Sequence, residues 1–446
     1  IGYERQKELL INETAAFIAG QDTNNIFIYG PPGTGKSSAL NSLLTAFPRL
    51  RMILMGKHQV SLLKTIYTKV KDSSYPFPYL CGSAIAFKLV QAILSKENFG
   101  VKLGMEKWSL DMVGIATLSD CVPLIGENRI LAHFGLEVLR RSPRLGLASL
   151  FNRLKINQRY VTEDDVTFMI TPRINAASRM GLPEDAFKLL STDDPLEAER
   201  LAAHLEAINN ERKGVVASIV KAAKKELEKR DNLHEAIVIG NPDWKPSLLG
   251  LVANSLVEEY ARPVFVWGRD GDGKLKGSCR SYNGYDLYKL MDKAADSFLE
   301  FGGHKGAGGF SVSLESLSDL EERLSYELGS MKSEPEETKN PLVINFSEIG
   351  EELWRIVERF SPFGEGNEKP VFKIANTPIK SVRQFGKANE HLELVLESGI
   401  KAISFFSSPR NYGLVPDTPF CTLEANLEKS YFRSSSAKLE SLSKPT

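Results

Sequence analysis

The sequence is poor in the residues that build zinc sites and disulfides. It has four cysteines and six histidines, with no Cys-x-x-Cys pair and no two adjacent histidines. Zinc sites need such ligands at short, regular spacing, so a structural zinc finger is excluded. The cysteines lie far apart and are expected to be reduced thiols: Cys81, Cys121, Cys279 and Cys421.

Long apolar runs and an excess of either charge are also missing. No stretch approaches the ~18 uninterrupted apolar residues of a membrane span. The first residues, IGYERQKELL, carry charges where a secretory signal needs an apolar run. We therefore predict a cytoplasmic protein with no membrane partner. The 56 basic and 56 acidic side chains balance, so nucleic-acid binding would have to come from local patches rather than from net charge.

A glycine-rich turn near the N-terminus carries a phosphate-loop pattern. Residues 30–37 read GPPGTGKS, between a strand-like run, NIFIY, and an expected helix. In this pattern the backbone amides cradle phosphates, the lysine reaches the terminal ones and the hydroxyl holds Mg²⁺. Residues 2–63 resemble the front of an AAA-type ATPase. The predicted contacts to ATP and Mg²⁺ are Gly30, Gly33, Gly35, Lys36 and Ser37.

This N-terminal block lacks the remaining parts of an ATPase. Hydrolysis requires an acidic residue at the end of a later strand. No apolar run that ends in such a residue follows before about Lys71, where the sequence pattern changes. The block is therefore expected to be a truncated βαβ segment that binds a nucleotide without turning it over. A glycine-rich turn with no ligand is the alternative.

The middle of the chain predicts helices around one apolar strand. A proline-broken stretch, SSYPFPYLCG, precedes a predicted helix, Ala84–Leu94. The apolar run DMVGIATL is read as a strand that ends just before Asp120, with helices from there to about Leu154.

A long helix is signalled further on. Asp194 stands at an N-cap position, Pro195 follows it and Glu197 is placed for a capping box. Apolar residues then recur at helical spacing to about Lys229, which predicts an amphipathic helix long enough to bridge two domains.

Strand and helix patterns alternate beyond residue 232 and predict an α/β domain. The domain ends in a glycine-rich stretch, FGGHKGAGGF, at Phe301–Phe310. A polar linker, KSEPEETKN, follows, and short alternating runs such as HLELVLE then suit a small β-barrel.

Six motifs from residue 75 onward carry a family resemblance. They are YPFPYLCGSAIAFKLVQAIL, GIATLSDCVPLIGENR, PRINAASRMG, GSCRS, FGGHKGAGGF and SPFGEGNEKPVF. Together and in this order they resemble the RecJ family of the DHH phosphoesterase superfamily. The resemblance implies a 5'-to-3' exonuclease on single-stranded DNA, acting in recombination and repair with two Mn²⁺ or Mg²⁺ ions.

The resemblance also implies a domain order. The expected fold class is α/β, with a partial DHH domain and a DHHA1 domain joined by a long helix, then a C-terminal OB-type β-barrel, all preceded by the truncated phosphate-loop segment. The expected bounds are 1–70 for the phosphate-loop segment, 71–157 for the DHH part, 158–231 for the connecting helices, 232–332 for DHHA1 and 341–446 for the OB fold.

Asp120 falls where this family places an aspartate metal ligand, and a carboxylate suits Mn²⁺ or Mg²⁺. A turn or helix-cap aspartate is the alternative. The other family ligands, in Asp-x-Asp and Asp-His-His motifs, are not found in this sequence. Because each ion needs several ligands, catalysis by this chain is expected to be impaired.

Two further motifs are expected to bind substrate. PRINAASRMG is spaced like the family's substrate-facing loop, although surface salt bridges are the alternative for its arginines. GSCRS and the glycine-rich stretch look like the anion site of the DHHA1 domain. The expected substrate-binding residues are Arg173, Asn175, Arg179, Ser278, Arg280, Gly303, His304 and Lys305.

The sequence therefore predicts a RecJ-type exonuclease whose partner is single-stranded DNA. Two alternatives stay open: an inactive single-strand-binding protein, and an ATP-binding hybrid that works through Lys36. In the barrel, stacking on bases could come from Phe372, Phe405, Phe406 or Tyr431, and the sequence does not say which face the DNA.

Overall fold

The computed structural model describes residues 12, 75–95, 100–333, 341–386, 389–405, 407–412, 414, 419–429 and 437–439. The chain divides into two units, residues 1–78 and 79–446. Almost all of the first lies outside the described residues, and so do the predicted nucleotide contacts Gly30, Gly33, Gly35, Lys36 and Ser37.

The second unit begins with a helical part. Its helices are α1 (Gly82–Leu94), α2 (Leu110–Ser119), α3 (Gly126–Leu139), α4 (Leu145–Leu154), α5 (Thr171–Met180), α6 (Pro183–Ser191) and the long α7 (Pro195–Leu227). One apolar core extends from Ile115 to Ile208 and packs α2 to α7 together. This core is continuous across the expected domain boundary between residues 157 and 158.

The run DMVGIATL belongs to α2 and not to a strand, so that prediction was wrong. A short, uniformly apolar run has no clear period, and only its packing distinguishes a buried helix from a buried strand. Here α2 crosses α3 at two glycines: a Cβ on Gly114 would lie 2.8 Å from the Cα of Gly135. The close approach of the two backbones buries α2 on most of its surface.

The long helix α7 begins as predicted. Asp194 caps it by accepting a hydrogen bond from the backbone N–H of Leu196 at 2.9 Å, and Pro195 is its first residue. Glu197 does not close the expected capping box, because it accepts a hydrogen bond from the Thr192 hydroxyl at 2.5 Å. The first half of α7 packs on the helical core and the second half on the α/β domain.

The α/β domain is built on a five-stranded sheet. The strands are β1 (Ile237–Gly240), β2 (Val264–Arg269), β3 (Leu275–Arg280), β4 (Glu300–His304) and β5 (Ala307–Val312). Their order in the sheet is β1-β2-β3-β5-β4, in which β1 and β2 are parallel and the other pairs antiparallel. Helix α8 (Pro246–Tyr260) packs with α7 on one face, and α9 (Leu287–Lys293) and α10 (Leu320–Gly329) pack on the other.

The C-terminal part is a small barrel, as predicted. Its elements are β6 (Leu342–Ile344), α11 (Glu351–Glu358), β7 (Val371–Phe385), β8 (His391–Leu396), β9 (Lys401–Ser404), β10 (Phe420–Lys429) and β11 (Ala437–Leu439). Strands β7, β8, β9, β11 and β10 pair in that order, and β10 pairs back to β7, which closes the ring. A five-stranded ring of this kind is typical of an OB fold. None of the described helices is long and apolar enough to cross a membrane.

Candidate nucleic-acid interface

A strip of small residues, which we call the glycine strip, lies beside α8 on the sheet of the α/β domain. Ser278 on β3 pairs with Gly309 on β5, which pairs with Gly302 on β4. Directly paired residues point to the same face of a sheet. Both glycines are exposed, and a Cβ on Gly302 would have no atom within 4 Å. A phosphate could therefore approach this backbone closely.

The next row of the same face carries the polar groups. Arg280 pairs with Ala307, which pairs with His304. The backbone N–H of Gly306 donates to Nδ1 of His304 at 3.3 Å, so in the neutral ring the proton is on Nε2 and can be donated to a ligand. Lys305 stands in the exposed turn between β4 and β5.

Gly303 lies in the row that faces the opposite side. Its φ of 153° and the backbone of β5 both require glycine there, since a Cβ would lie 2.3 Å from the carbonyl oxygen of Ala307. It pairs with Gly308, and the next residue in the row, Cys279, is buried against Met291 of α9. Gly303 thus shapes the hairpin that carries His304.

Arginines from three elements meet where α5, α7 and α8 come together. Arg179, at the end of α5, donates to the carbonyl of Ser247 at 3.0 Å, and the Ser247 hydroxyl donates back to the carbonyl of Arg179 at 2.7 Å. The guanidinium of Arg280 lies on Gly250 of α8, where a Cβ would come within 2.8 Å of Nη2. Burial lowers the pKa of Arg280, and the nearby charge of Arg179 adds to the shift.

Arg212 on α7 belongs to the same group and was missed from the sequence. Burial lowers its pKa, and Arg179 and Arg173 contribute to the shift. The geometry agrees, because Arg212 and Leu251 of α8 line one groove, and Leu251 follows Gly250, on which Arg280 lies. We call Arg173, Arg179, Arg212 and Arg280 the arginine cluster. No helical or strand period could have revealed Arg212, because its partners are distant in sequence.

Two hydrogen-bond donors in this region are enclosed without a partner among the described residues. They are Nε of Arg212 and Nδ2 of Asn209, one turn earlier on α7, whose Oδ1 accepts from Arg212 Nη2 at 3.0 Å. Asn209 is fully buried. Enclosed donors of this kind are satisfied by water or by an anionic oxygen.

Arg173 is already engaged. It donates to both carboxylate oxygens of Glu206, at 2.7 and 3.2 Å, and to the carbonyl of Met169 at 3.0 Å. Despite partial burial, hydrogen bonding and the charge of Arg173 lower the pKa of Glu206, which therefore stays ionised. Asn175, on the same helix α5, is exposed. Arg173 can position α5 against α7, while Arg179 and Arg280 carry the charge of the cleft.

Asp120 lies at the exposed C-terminal end of α2, followed by Cys121 in a left-handed turn with φ of 49°. Burial raises the pKa of the Cys121 thiol, and the carboxylates of Glu365 and Asp120 add to the shift. Among the residues that the structure describes, no three His, Cys, Asp or Glu side chains are placed to hold a metal ion. These residues therefore do not fit a two-metal centre.

The segment after Asp120 is held against the barrel by the PFGEGN loop. The backbone N–H of Leu124 donates to the carbonyl of Glu365 at 2.6 Å. Glu163 accepts hydrogen bonds from the backbone N–H of Phe363 at 3.1 Å and from the Ser361 hydroxyl at 3.3 Å. The barrel is thus docked on the helical part next to Asp120.

The barrel's aromatic residues divide between core and surface. Phe372 is buried in the barrel core, whereas Phe405 is 45% exposed and meets the ring of His391 edge-on at 5.2 Å. Phe406 and Tyr431 lie outside the described residues. Phe405 is therefore the described candidate for stacking on a base.

Known protein families match three parts of the chain. Residues 231–330 match the DHHA1 domain, residues 342–437 match the RecJ OB domain, and residues 1–87 match a protein family of unknown function, DUF815. Single-stranded-DNA-specific exonuclease RecJ of Bacillus subtilis is 32% identical over 358 residues, which cover 79% of this chain and 44% of that protein. The corresponding protein of Escherichia coli is 27% identical over 354 residues, or 74% of this chain and 60% of that protein.

A solved structure gives the same relation. RecJ of Thermus thermophilus in complex with Mn²⁺ matches with a TM-score of 0.69 and 26% identity, over 84% of this chain and 54% of that chain. The chain thus spans about half the length of RecJ from Bacillus subtilis and from Thermus thermophilus. The part of the chain that the structure describes has the α/β architecture of RecJ, and the chain carries the DHHA1 domain and the RecJ OB domain.

Proposed function

We propose that this chain holds single-stranded DNA in the manner of a RecJ exonuclease, with the arginine cluster and the glycine strip binding phosphates near the strand's end. The observation that carries the proposal is that three arginines lie against the start of α8, beside exposed strand glycines. Arg179 bonds to Ser247, Arg280 lies on Gly250, and Arg212 shares a groove with Leu251. Guanidinium groups bind phosphate through paired, charge-assisted hydrogen bonds. Glycine lets the phosphate reach the backbone amides.

Within this proposal the predicted contacts divide by role. Arg179, Arg280, Ser278, His304 and Lys305 contact the DNA. Arg173 positions α5 through Glu206, and Gly303 sets the hairpin. Asn175 is exposed on α5 one turn before Arg179, and so it lies on the same face of that helix.

Binding can be tested by fluorescence anisotropy with 5'-phosphorylated single strands. Arg179→Ala and Arg280→Ala should each weaken binding about tenfold or more, since a hydrogen bond to a charged group contributes ~1.5–3 kcal/mol. Each should also lower the slope of log Kd against log salt by about one.

Arg200→Ala is the matched control, because Arg200 lies on α7 with its side chain 68% exposed and paired only loosely with Glu197 at 4.0 Å. Wild-type protein that fails to bind single strands would refute the proposal.

Cleavage is a second candidate function, which requires a complete RecJ-type active site, and the position of Asp120 in the GIATLSD motif favours it. In a complete RecJ-type active site Asp120 would be one ligand of Mn²⁺ or Mg²⁺, and the reaction would be 5'-to-3' hydrolysis in DNA recombination and repair. The described residues supply no cluster for that metal, so we expect this chain alone to bind DNA without degrading it. Mn²⁺-dependent shortening of 5'-phosphorylated strands that is lost in Asp120→Asn would show instead that the chain is an active nuclease.

Nucleotide binding through Lys36 stays a prediction from the phosphate-loop pattern. It is tested by titrating a fluorescent ATP analogue against wild-type protein and Lys36→Ala. Equal affinity of the two proteins would exclude the ATP-binding hybrid.

A further inference from the structure

A groove of about 690 Å³ lies between α7 and α8 and begins at the arginine cluster. Its α7 wall is basic, with Arg212 and Lys213 at one end and Lys224 at the other. Its α8 wall is polar and carries Asn254 and Ser255. Arg212 belongs both to this groove and to the arginine cluster.

The floor of the groove is apolar. Val216 and Val220 contribute from α7 and Leu251 from α8, and all three are partly exposed. A basic wall beside an apolar floor matches a single nucleic-acid strand, whose phosphates lie on one side and whose base faces lie on the other.

We propose that single-stranded DNA leaving the arginine cluster continues along this groove, an inference that rests on the proposed function. The phosphates of the strand lie against α7 and its bases against the apolar floor. The groove is thus a second binding segment for the strand, beyond the site that holds its end. Continuity supports this occupant, since Arg212 and the enclosed donor of Asn209 mark the junction of the two sites.

The dimensions set the number of nucleotides. The α7 wall from Arg212 to Lys224 is about 18 Å long at 1.5 Å per residue. This length accommodates at most about five nucleotides, because 3.4 Å is the rise per nucleotide in duplex DNA and an extended single strand is longer. Lys224 forms an ion pair with Glu259 of α8, which closes the far end of the groove and limits its length.

The experiment compares 5'-phosphorylated oligothymidylates of about 2 and about 12 nucleotides, of which only the longer can extend from the cluster along the groove. Wild-type protein should bind the longer strand at least about tenfold more tightly.

Lys213→Ala should lower the slope of log Kd against log salt by about one for the longer strand and leave the slope for the shorter strand unchanged. Val216→Glu should weaken only the longer strand, about tenfold, because it places a carboxylate in the floor.

Lys221 provides matched controls, because it is exposed on the same helix and does not line the groove. Lys221→Ala and Lys221→Glu should leave both strands unaffected. Equal affinity for the two lengths, or equal effects of Lys213→Ala and Lys221→Ala, would overturn the groove inference and assign the groove to another occupant. Absence of binding to either strand would overturn the proposed function itself.

Discussion

Gly303 and Gly302 are neighbours on β4 with opposite constraints. A Cβ on Gly303 would meet the backbone of β5 at 2.3 Å, whereas a Cβ on Gly302 would meet nothing within 4 Å. We expect Gly303→Ala to destabilise the protein by about 1–3 kcal/mol through backbone strain. Gly302→Ala should leave the melting temperature unchanged and weaken single-strand binding, because its methyl group lies on the strip that phosphate approaches. Thermal unfolding and anisotropy on both variants check this, and equal melting temperatures would contradict it.

Asp111 is a buried charge that the sequence did not reveal. It is 1% exposed and accepts hydrogen bonds from the Ser142 hydroxyl at 2.7 Å and from Nε of Arg144 at 2.8 Å. Asp111→Ala should lower the free energy of unfolding by about 3 kcal/mol, because it leaves Arg144 without its charge partner. Urea unfolding measures the loss. Asp296→Ala, at an exposed position, should change little, and an equal effect of the two would contradict the prediction.

At the scale of elements, α7 connects the helical part to the α/β domain and depends on its start. The Asp194 cap is formed by one hydrogen bond to Leu196. Asp194→Ala should cost about 1 kcal/mol. Asp193→Ala, one residue earlier and exposed, should cost much less. Chemical unfolding measures the free energy of unfolding of both variants. Equal losses in the two would contradict a stabilising role for the Asp194 cap.

Packing decides that Leu110–Ser119 form a helix, α2, and not a strand. Its run of apolar residues suits a buried strand equally well. The glycine contact between Gly114 and Gly135 allows α2 and α3 to approach closely, and this contact joins residues that are distant in sequence. The consequence reaches the candidate site, because Asp120 follows the C-terminus of a helix and not the end of a sheet strand.

At the scale of the whole molecule, Glu163 connects the helical part to the barrel through a buried carboxylate. Burial raises the pKa of Glu163 above its ordinary value of 4.5, and the neighbouring charge of Asp164 adds to the shift. Hydrogen bonds and Lys369 oppose it in part. The folded protein therefore binds this proton more tightly than the unfolded chain does.

The raised pKa of Glu163 makes the stability of the protein depend on pH. As the pH falls through the raised native pKa, the contribution of Glu163 to stability increases, and it becomes constant below the ordinary value. The melting temperature of wild type relative to Glu163→Gln should therefore rise as the pH falls from neutral towards the ordinary value of 4.5. Glu184→Gln, at an exposed position on α6, should show no such trend relative to wild type. A pH-independent difference for Glu163→Gln would contradict the assignment.

The sequence alone determined the order of elements and the family resemblance, because these depend on local signals. Signals within a few residues of one another predict the helix start at Asp194–Pro195, the alternating α/β pattern and the short barrel strands. The structure confirms these elements. Tertiary structure decided α2, the role of Asp111 and the meeting of Arg212 with Arg179. These depend on contacts between residues far apart in the chain, where period and propensity carry no information.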